Sequence, residues 1–535
     1  MVDPLSKPPP PRAGMIAALV PLRIPMYRLL WLTWLAANTT MWMNDVGSAW
    51  LMTSLSDSPL MVALVQSAST LPVFLLGLPS GALADTLDRR RYLIVTQFWA
   101  AGIACLISLT VMMGWMTPPL LLALTFANGV GLAMRWPVFA ATVPELVPRS
   151  QLPAAMALNG IGMNVSRIVG PLMAGAIIAS VGSAWVFALN AVLSVAAAIA
   201  VIFWRREHKP SPLGRERLPS AMRVGVQFVW QSRRMRVVIT LISLCFFHFT
   251  ALLALLPLVA RSMPGGNAGT FTLLLAAMGV GSIFAALQMP RLRQVLSFKA
   301  LLMVATALQG TAMLMVAWAP SIYVMVPAMF IAGMAWISLA NSLAVRAQMS
   351  LPDWVRARGM SIYQMSLMGA TAAGAALWGQ VATWTNIHDS LSIAAISSVV
   401  TMIVAQRMTV DWGIEEDLTP ARGVLRSPLA EAPPRPGRIQ VSIEYRIDPA
   451  RVDEFMALMQ ESRRSRMGHG VLDWQVMQDL YEPGRIIEQI TDESWTEHLR
   501  RFDRVTAADV QVRERKLAYH IGDEPPVVTR YVVDR

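Results

Sequence analysis

The sequence predicts an α-helical membrane protein of twelve transmembrane helices in two six-helix repeats, followed by a C-terminal α+β domain. Three observations predict it. Apolar runs of about 20 residues, the length of a membrane span, recur in a chain of 535 residues that is 55% hydrophobic and 15% charged; soluble chains carry about 25% charged residues. The two halves of the apolar body match at one sequence offset of 204 residues. After residue 437 the long apolar runs end and strand-type alternation begins.

The N-terminus, 1–25, is Pro-rich and basic ("MVDPLSKPPPPRAG") and has no short apolar segment with a cleavage site, so it reads as a disordered cytoplasmic tail rather than a signal peptide. Spans are expected near 28–52, 60–83, 92–114, 118–141, 155–180 and 184–204, forming a first bundle over 26–204. The break 205–235 is the longest in the body. Its second part, "LPSAMRVGVQFVWQSRRMR", puts Met222, Val226 and Val229 on one helical face and predicts an interfacial amphipathic helix. Six more spans, near 236–258, 268–290, 298–318, 321–344, 358–383 and 388–406, form a second bundle over 236–407.

Orientation follows from charge. Arg89, Arg90 and Arg91, Arg149, nine basic residues in 205–236, Arg291, Arg293 and Lys299, and Arg346, Arg356 and Arg358 fall in one set of loops; the opposite set holds only Arg261. The positive-inside rule makes the first set cytoplasmic and, with an even span count, both termini cytoplasmic in a cell (inner) membrane. Residues 1–437 carry 30 Lys/Arg against 15 Asp/Glu, and 438–535 carry 15 against 18. Because the positive charge sits in loops between spans, topology explains it and nucleic-acid binding is not expected.

At the 204-residue offset Phe126 matches Phe330, Gly129 matches Gly333, Pro148 matches Pro352, Gly170 and Gly175 match Gly374 and Gly379, and Arg89 matches Arg293. A parallel six-span repeat is a transporter architecture, with a substrate cavity between halves that rock against each other. No G-x-x-x-x-G-K-[ST] motif is present, which argues against ATP-driven pumping from this chain. Cys105 and Cys245 sit in apolar spans without metal-ligand spacing, and no cofactor or metal is expected.

Few charges lie within the spans, and each costs about 2.5–3.5 kcal/mol at a helix centre unless paired or facing water. Asp45 is the candidate proton-coupling residue, with Arg167 as its electrostatic neighbour; the alternative for Asp45 is a satisfied helix-end carboxylate near the membrane interface. Arg135 is a candidate for the cavity entrance or for an anionic substrate group, and Asn38, Asn159 and Asn164 are candidate polar liners. His248 reads as a packed, neutral histidine. Gly162, Ser166, Gly170 and Ala174 form a small-residue stripe with Pro171 and Gly175 beside it, suited to close helix packing or to coupling.

The stretch "GALADTLDRRR" between spans two and three resembles the loop signature of the major facilitator superfamily. Gly81, Asp85, Arg89 and Arg90 match that pattern; Thr86 and Asp88 depart from it, and Asp85 has no counterpart in the second half, where Met289 stands. The resemblance implies a cytoplasmic gate in which Asp85 ends span two and Arg89 and Arg90 anchor span three. A topogenic basic loop is the alternative. The segments "LVPRSQLPAAMALNGIGMNVSRIVGPLMAGAI" and "ANTTMWMNDVGSAWLMTSLSDSPLMVALV" resemble the enterobactin-exporter-like group of that superfamily, the transmembrane secretion effectors, over roughly 20–410. The resemblance implies proton-coupled export of a small apolar or siderophore-like molecule. An importer, a facilitator, or a membrane-tethered oxygenase or sensor are the alternatives.

A Pro/Arg-rich linker is expected over 408–437 and a cytoplasmic domain over 438–535. "RIQVSIEYRID" alternates with Ile439, Val441, Ile443, Tyr445 and Ile447 on one face, the pattern of a half-buried strand. A helix carrying Val452, Phe455, Met456 and Met459 follows, then strands in "GVLDWQVMQDL" and "GRIIEQITDES". A helix from Trp495 presenting Leu499, Phe502 and Val505, and a last strand in "PVVTRYVVD", complete a βαββαβ order, the ferredoxin-like split βαβ. Through "ESWTEHLRRFDRVTAAD" the tail resembles the antibiotic-biosynthesis-monooxygenase-like family, which implies sheet-mediated homodimers and, in some members, cofactor-free oxygenases. His469, His498 and His520 form no convincing catalytic set, so a dimerisation or sensing module is the favoured reading.

Overall fold

A computed structural model describes residues 19–204, 218–408, 417–421 and 435–533. The expected N-terminal tail, most of the 408–437 linker and the first part of the 205–235 break lie outside the described residues. Each predicted span coincides with a helix: α1 Pro25–Leu55, α2 Pro59–Thr86, α3 Arg89–Met112, α4 Pro118–Leu146, α5 Leu152–Val181 and α6 Ser183–Ile202, and, after α7 Leu218–Gln231, α8 Arg233–Ser262, α9 Ala268–Val295, α10 Phe298–Ala317, α11 Ile322–Met349, α12 Arg356–Trp384 and α13 Ile387–Met408. Nine of these helices, among the described residues, are long and apolar enough to cross a membrane. Pro171 does not end its helix; α5 runs through it.

The described residues divide into two compact units, one drawn from Met1–Glu207, Phe246–Ser338 and Met368–Val400, the other from His208–Cys245, Leu339–Leu367 and Thr401–Arg535. Within the first unit, glycines at equivalent positions of the repeat make equivalent contacts. A Cβ on Gly129 of α4 would lie 2.7 Å from the Ser69 carbonyl of α2, and one on Gly333 of α11 would overlap the Met278 carbonyl of α9. Gly170 of α5 lets the helix approach the Thr39 carbonyl of α1, and Gly374 of α12 does the same to the Phe247 carbonyl of α8. The matches across the halves are reciprocal too. Gly175 of α5 faces Thr272 of α9, while Gly379 of α12 faces Ala63 of α2. The small stripe therefore packs: Gly162 and Gly170 lie against α1, and Ser166 bonds the Thr39 hydroxyl at 3.0 Å.

In the second unit, β1 Arg438–Arg446, α14 Val452–Gly468, β2 Asp473–Gln478, β3 Arg485–Asp492, α15 Trp495–Asp503, α16 Ala507–Leu517 and β4 Val527–Val533 build an antiparallel sheet of order β2-β3-β1-β4. Ile439, Val441, Tyr445, Phe455, Met459, Trp474, Ile486 and Ile490 close its core. Two details differ from the sequence reading. A second helix, α16, follows the first, started by a capping box of Thr506 and Asp509. And α15 buries Glu497, His498 and Arg501, leaving Leu499 and Phe502 half-buried. The inward face is polar because its charges find partners: Arg504 reaches Glu497 at 2.8 Å and Arg501 reaches Asp492 at 3.0 Å.

Helix α7 belongs to this unit, and its buried face is not the expected one. Val224 and Val229 are buried, whereas Met222 is half-buried and Val226 exposed. The reason is the tail. Arg223 and Ser220 both bond Glu493 (2.7 and 2.8 Å), and the Val224 side chain packs against Gly470, whose φ of 96° lies in the left-handed region that favours glycine. 

Trp354, in the turn before α12, stands edge-on to Phe228 of α7 at 5.6 Å and beneath the Arg504 guanidinium at 5.4 Å.

The core of the tail holds a buried carboxylate. Glu488 accepts from Trp474 Nε1 (3.0 Å), Ser462 Oγ (3.0 Å), Tyr445 Oη (3.1 Å) and Lys516 Nζ (3.0 Å), with Arg466 at 3.6 Å. Burial alone would raise its carboxyl, but Lys516 and Arg466 outweigh burial and hold it well below the ordinary value of 4.5. A depressed carboxylate contributes stability that is present above its unfolded value and lost as pH falls through the folded one. The tail is therefore expected to loosen below about pH 4.5. Glu488→Gln should cost it about 3 kcal/mol, because breaking a buried pair strands the cation. Limited proteolysis of the full chain, following release of the tail fragment, checks both.

Candidate functional site

Asp45 lies in the second half of α1, within the first unit, and is half-buried. With Ala49 it lines a cleft completed by Val62, Val65, Gln66 and Ser69 of α2 and by Leu253 and Ala254 of α8. Both halves of the repeat thus contribute to its walls. Among the described residues no hydrogen bond or ion pair reaches the Asp45 carboxylate. Gln66 and Ser69 supply the polar edge of an otherwise apolar cleft.

Arg167, expected from the sequence as the electrostatic neighbour of Asp45, forms no ion pair with it among the described residues. Its guanidinium carbon lies 4.4 Å from the ring centroid of Trp336 on α11, a cation–π contact from one half of the repeat to the other. Its Nε and Nη2 are buried without an acceptor. The spacing of charges along α1 and α5 could not have shown this, because Trp336 arrives from a distant helix. Arg135 is buried on α4 and donates to Gln97 Oε1 at 3.3 Å and to the Ala37 carbonyl at 3.4 Å, both neutral. Its Nε has no acceptor. Asn38 and Asn164 bond carbonyls of their own helices, Trp34 and Gly160, each at 2.9 Å. His248 is buried between the rings of Phe247 (5.3 Å) and Trp378 (5.8 Å), as a packed histidine would be.

At the loop opposite the basic loops, Arg261 bonds the Thr53 carbonyl and reaches Asp57 at 3.4 Å. Asp57 and Arg261 are separated by the repeat offset itself, so one position serves both sides of the contact. At the other end, Asp88 accepts from the Arg91 amide at 2.9 Å and caps α3. The residue that departs from the superfamily pattern thus has a local role. Arg90 bonds the Ile202 carbonyl at the end of α6. Arg89 is the first residue of α3. Gly81 and Asp85 fall near the end of α2, and their side chains lie outside the described residues.

The tail brings together residues the sequence reading did not connect. His498 Nδ1 is 2.6 Å from Asp492 Oδ2, Arg501 Nη2 is 3.0 Å from the same oxygen, and Arg530 Nε lies 3.4 Å from His498 Nε2. A signal existed: in β3 the buried positions are Ile486, Glu488, Ile490 and Asp492, so the period of two already places two acids on the inward face.

A family model described as transmembrane secretion effector matches residues 16–535, the tail included. The chain is 22% identical to the staphyloferrin A transporter of Staphylococcus aureus over 373 residues, covering 68% of this chain and 91% of that protein. It is 25% identical to the MFS-type transporter YfiS of Bacillus subtilis over 357 residues, 65% of this chain and 83% of that protein. Among solved structures, the nucleoside transporter NupG superposes with a TM-score of 0.57 at 13% identity, over 72% of this chain and 100% of that one. An inward-facing bacterial homologue of the lysosomal transporter Spinster gives 0.55 at 13% identity, over 72% and 95%. These likenesses establish a mostly helical membrane transporter fold.

Proposed function

Since the chain belongs to the transmembrane secretion effector family of MFS transporters, we propose that it exports a small siderophore-like or apolar molecule across the cell membrane by proton antiport. The observation that carries this reading is Asp45: a carboxylate inside an apolar helix, without a cationic partner among the described residues, in a cleft to which both repeats contribute. An ionised carboxylate at that depth is costly, and binding a proton removes the cost. The name of the staphyloferrin A transporter supports the choice of cargo, and the reciprocal Gly175 and Gly379 contacts support two six-helix halves that rock.

In this reading twelve helices cross the membrane with both termini cytoplasmic, and Gly81, Asp85, Arg89 and Arg90 form the cytoplasmic gate. The strand order β2-β3-β1-β4 supports a ferredoxin-like domain over 438–535. That domain is an accessory, homodimerising module rather than an oxygenase. Comparing metabolites in spent medium from deletion and complemented cells, iron limitation included, tests the export claim. A compound missing from the deletion medium and restored by complementation is expected; identical media under all conditions overturn it.

A further inference from the structure

We infer that the transported substrate is an organic anion whose acidic groups are received by Arg135 and Arg167, with the Trp336 ring as an apolar wall. This rests on the transport reading and names its substrate class.

The helices that carry the two arginines meet one stretch of α1. Arg135 donates to the Ala37 carbonyl, and Ser166, the residue before Arg167, bonds the Thr39 hydroxyl at 3.0 Å and the Leu35 carbonyl at 3.3 Å. Both stand within long helices, Arg135 in Pro118–Leu146 and Arg167 in Leu152–Val181. Neither has a carboxylate partner among the described residues. Arg135 makes two long bonds to neutral oxygens, and its Nε, together with Nε and Nη2 of Arg167, is buried without an acceptor. Trp336 Nε1 is also buried without one. A guanidinium is a permanent cation with five donors suited to carboxylate. Several donors without acceptors beside an aromatic face describe a receptor for an acceptor-rich, negatively charged molecule. They do not suit a neutral hydrocarbon, which would leave every donor unmet. The aromatic surface accommodates the rest of the molecule: Trp336 stacks on Phe249 at 6.1 Å.

The test uses the full chain purified in detergent, with citrate and phthalate as carboxylate probes. Triethyl citrate and dimethyl phthalate are their uncharged counterparts, and sodium chloride is matched for ionic strength. Saturable thermal stabilisation by at least one carboxylate is expected, with none from the esters or from chloride. Arg135→Gln and Arg167→Gln should each weaken apparent binding at least tenfold, and Gly160→Ala, where a Cβ meets nothing within 4 Å, should leave it in place. Arg167→Lys, which keeps the charge, separates loss of the cation from loss of folding. No stabilisation by either carboxylate, equal stabilisation by ester or chloride, or retention in both glutamine variants overturns the inference. If the compound missing from spent medium is neutral or cationic, this inference falls while export stands. If carboxylates bind but nothing is missing from the medium, the export reading falls instead.

Discussion

Asp45→Asn should abolish the pH-gradient-driven part of transport while leaving substrate exchange down its own gradient. The substitution keeps the size and hydrogen-bonding outline of the side chain and removes its ability to carry a proton. The cleft around Asp45 is otherwise apolar apart from Gln66 and Ser69, so no second carboxylate among its lining residues can take over. A loss of at least tenfold in gradient-driven uptake by inside-out vesicles is expected, read with the compound identified from spent medium. Full retention of gradient dependence would remove Asp45 as the proton carrier. Arg167 stands over Trp336 and forms no ion pair with Asp45 among the described residues, so Arg167→Gln should leave the response to the pH gradient in place and act on substrate affinity.

The second large effect is on folding. A Cβ on Gly281 would overlap the Phe330 carbonyl, and one on Gly333 would overlap the Met278 carbonyl. The α9 and α11 backbones therefore touch at two reciprocal points, and the Ser282 hydroxyl bonds the Gly333 carbonyl at 3.0 Å between them. Neither obstacle is a flexible side chain that could swing away. Gly281→Val or Gly333→Val should cost about 3 kcal/mol or more, the upper end of overpacking effects, and lower the melting midpoint of the purified protein sharply. Gly160→Ala, where a Cβ meets nothing within 4 Å, is the control and should be near neutral. Valine variants as stable as that control would contradict the packing described for this helix pair.

Much of the helical framework was legible because a membrane span must satisfy its backbone internally over a long apolar run, and such runs are visible one residue at a time. The repeat was equally legible, and its best evidence, Gly129 with Gly333 and Gly175 with Gly379, turned out to mark real close approaches. What could not be read were contacts that arrive from elsewhere in the chain. Arg167 meets Trp336, and α7 turns Val224 toward Gly470 because the tail supplies Glu493 to Arg223. The apolar periodicity of α15 misled for a related reason. Its charged side chains are buried because Asp492 on β3 and the Arg504–Glu497 pair await them, and hydropathy does not count partners. Asp88 departs from the superfamily pattern, yet it caps α3.

The central claim is that movement of the substrate is tied to movement of protons. The most direct measurement is luminal pH in proteoliposomes loaded acid inside, with the exported compound added outside. Antiport predicts that the lumen becomes more alkaline as the compound accumulates above its outside concentration, and that Asp45→Asn vesicles show no alkalinisation beyond their own leak and fill no further than the outside concentration. Accumulation of the compound without any change in luminal pH would contradict it.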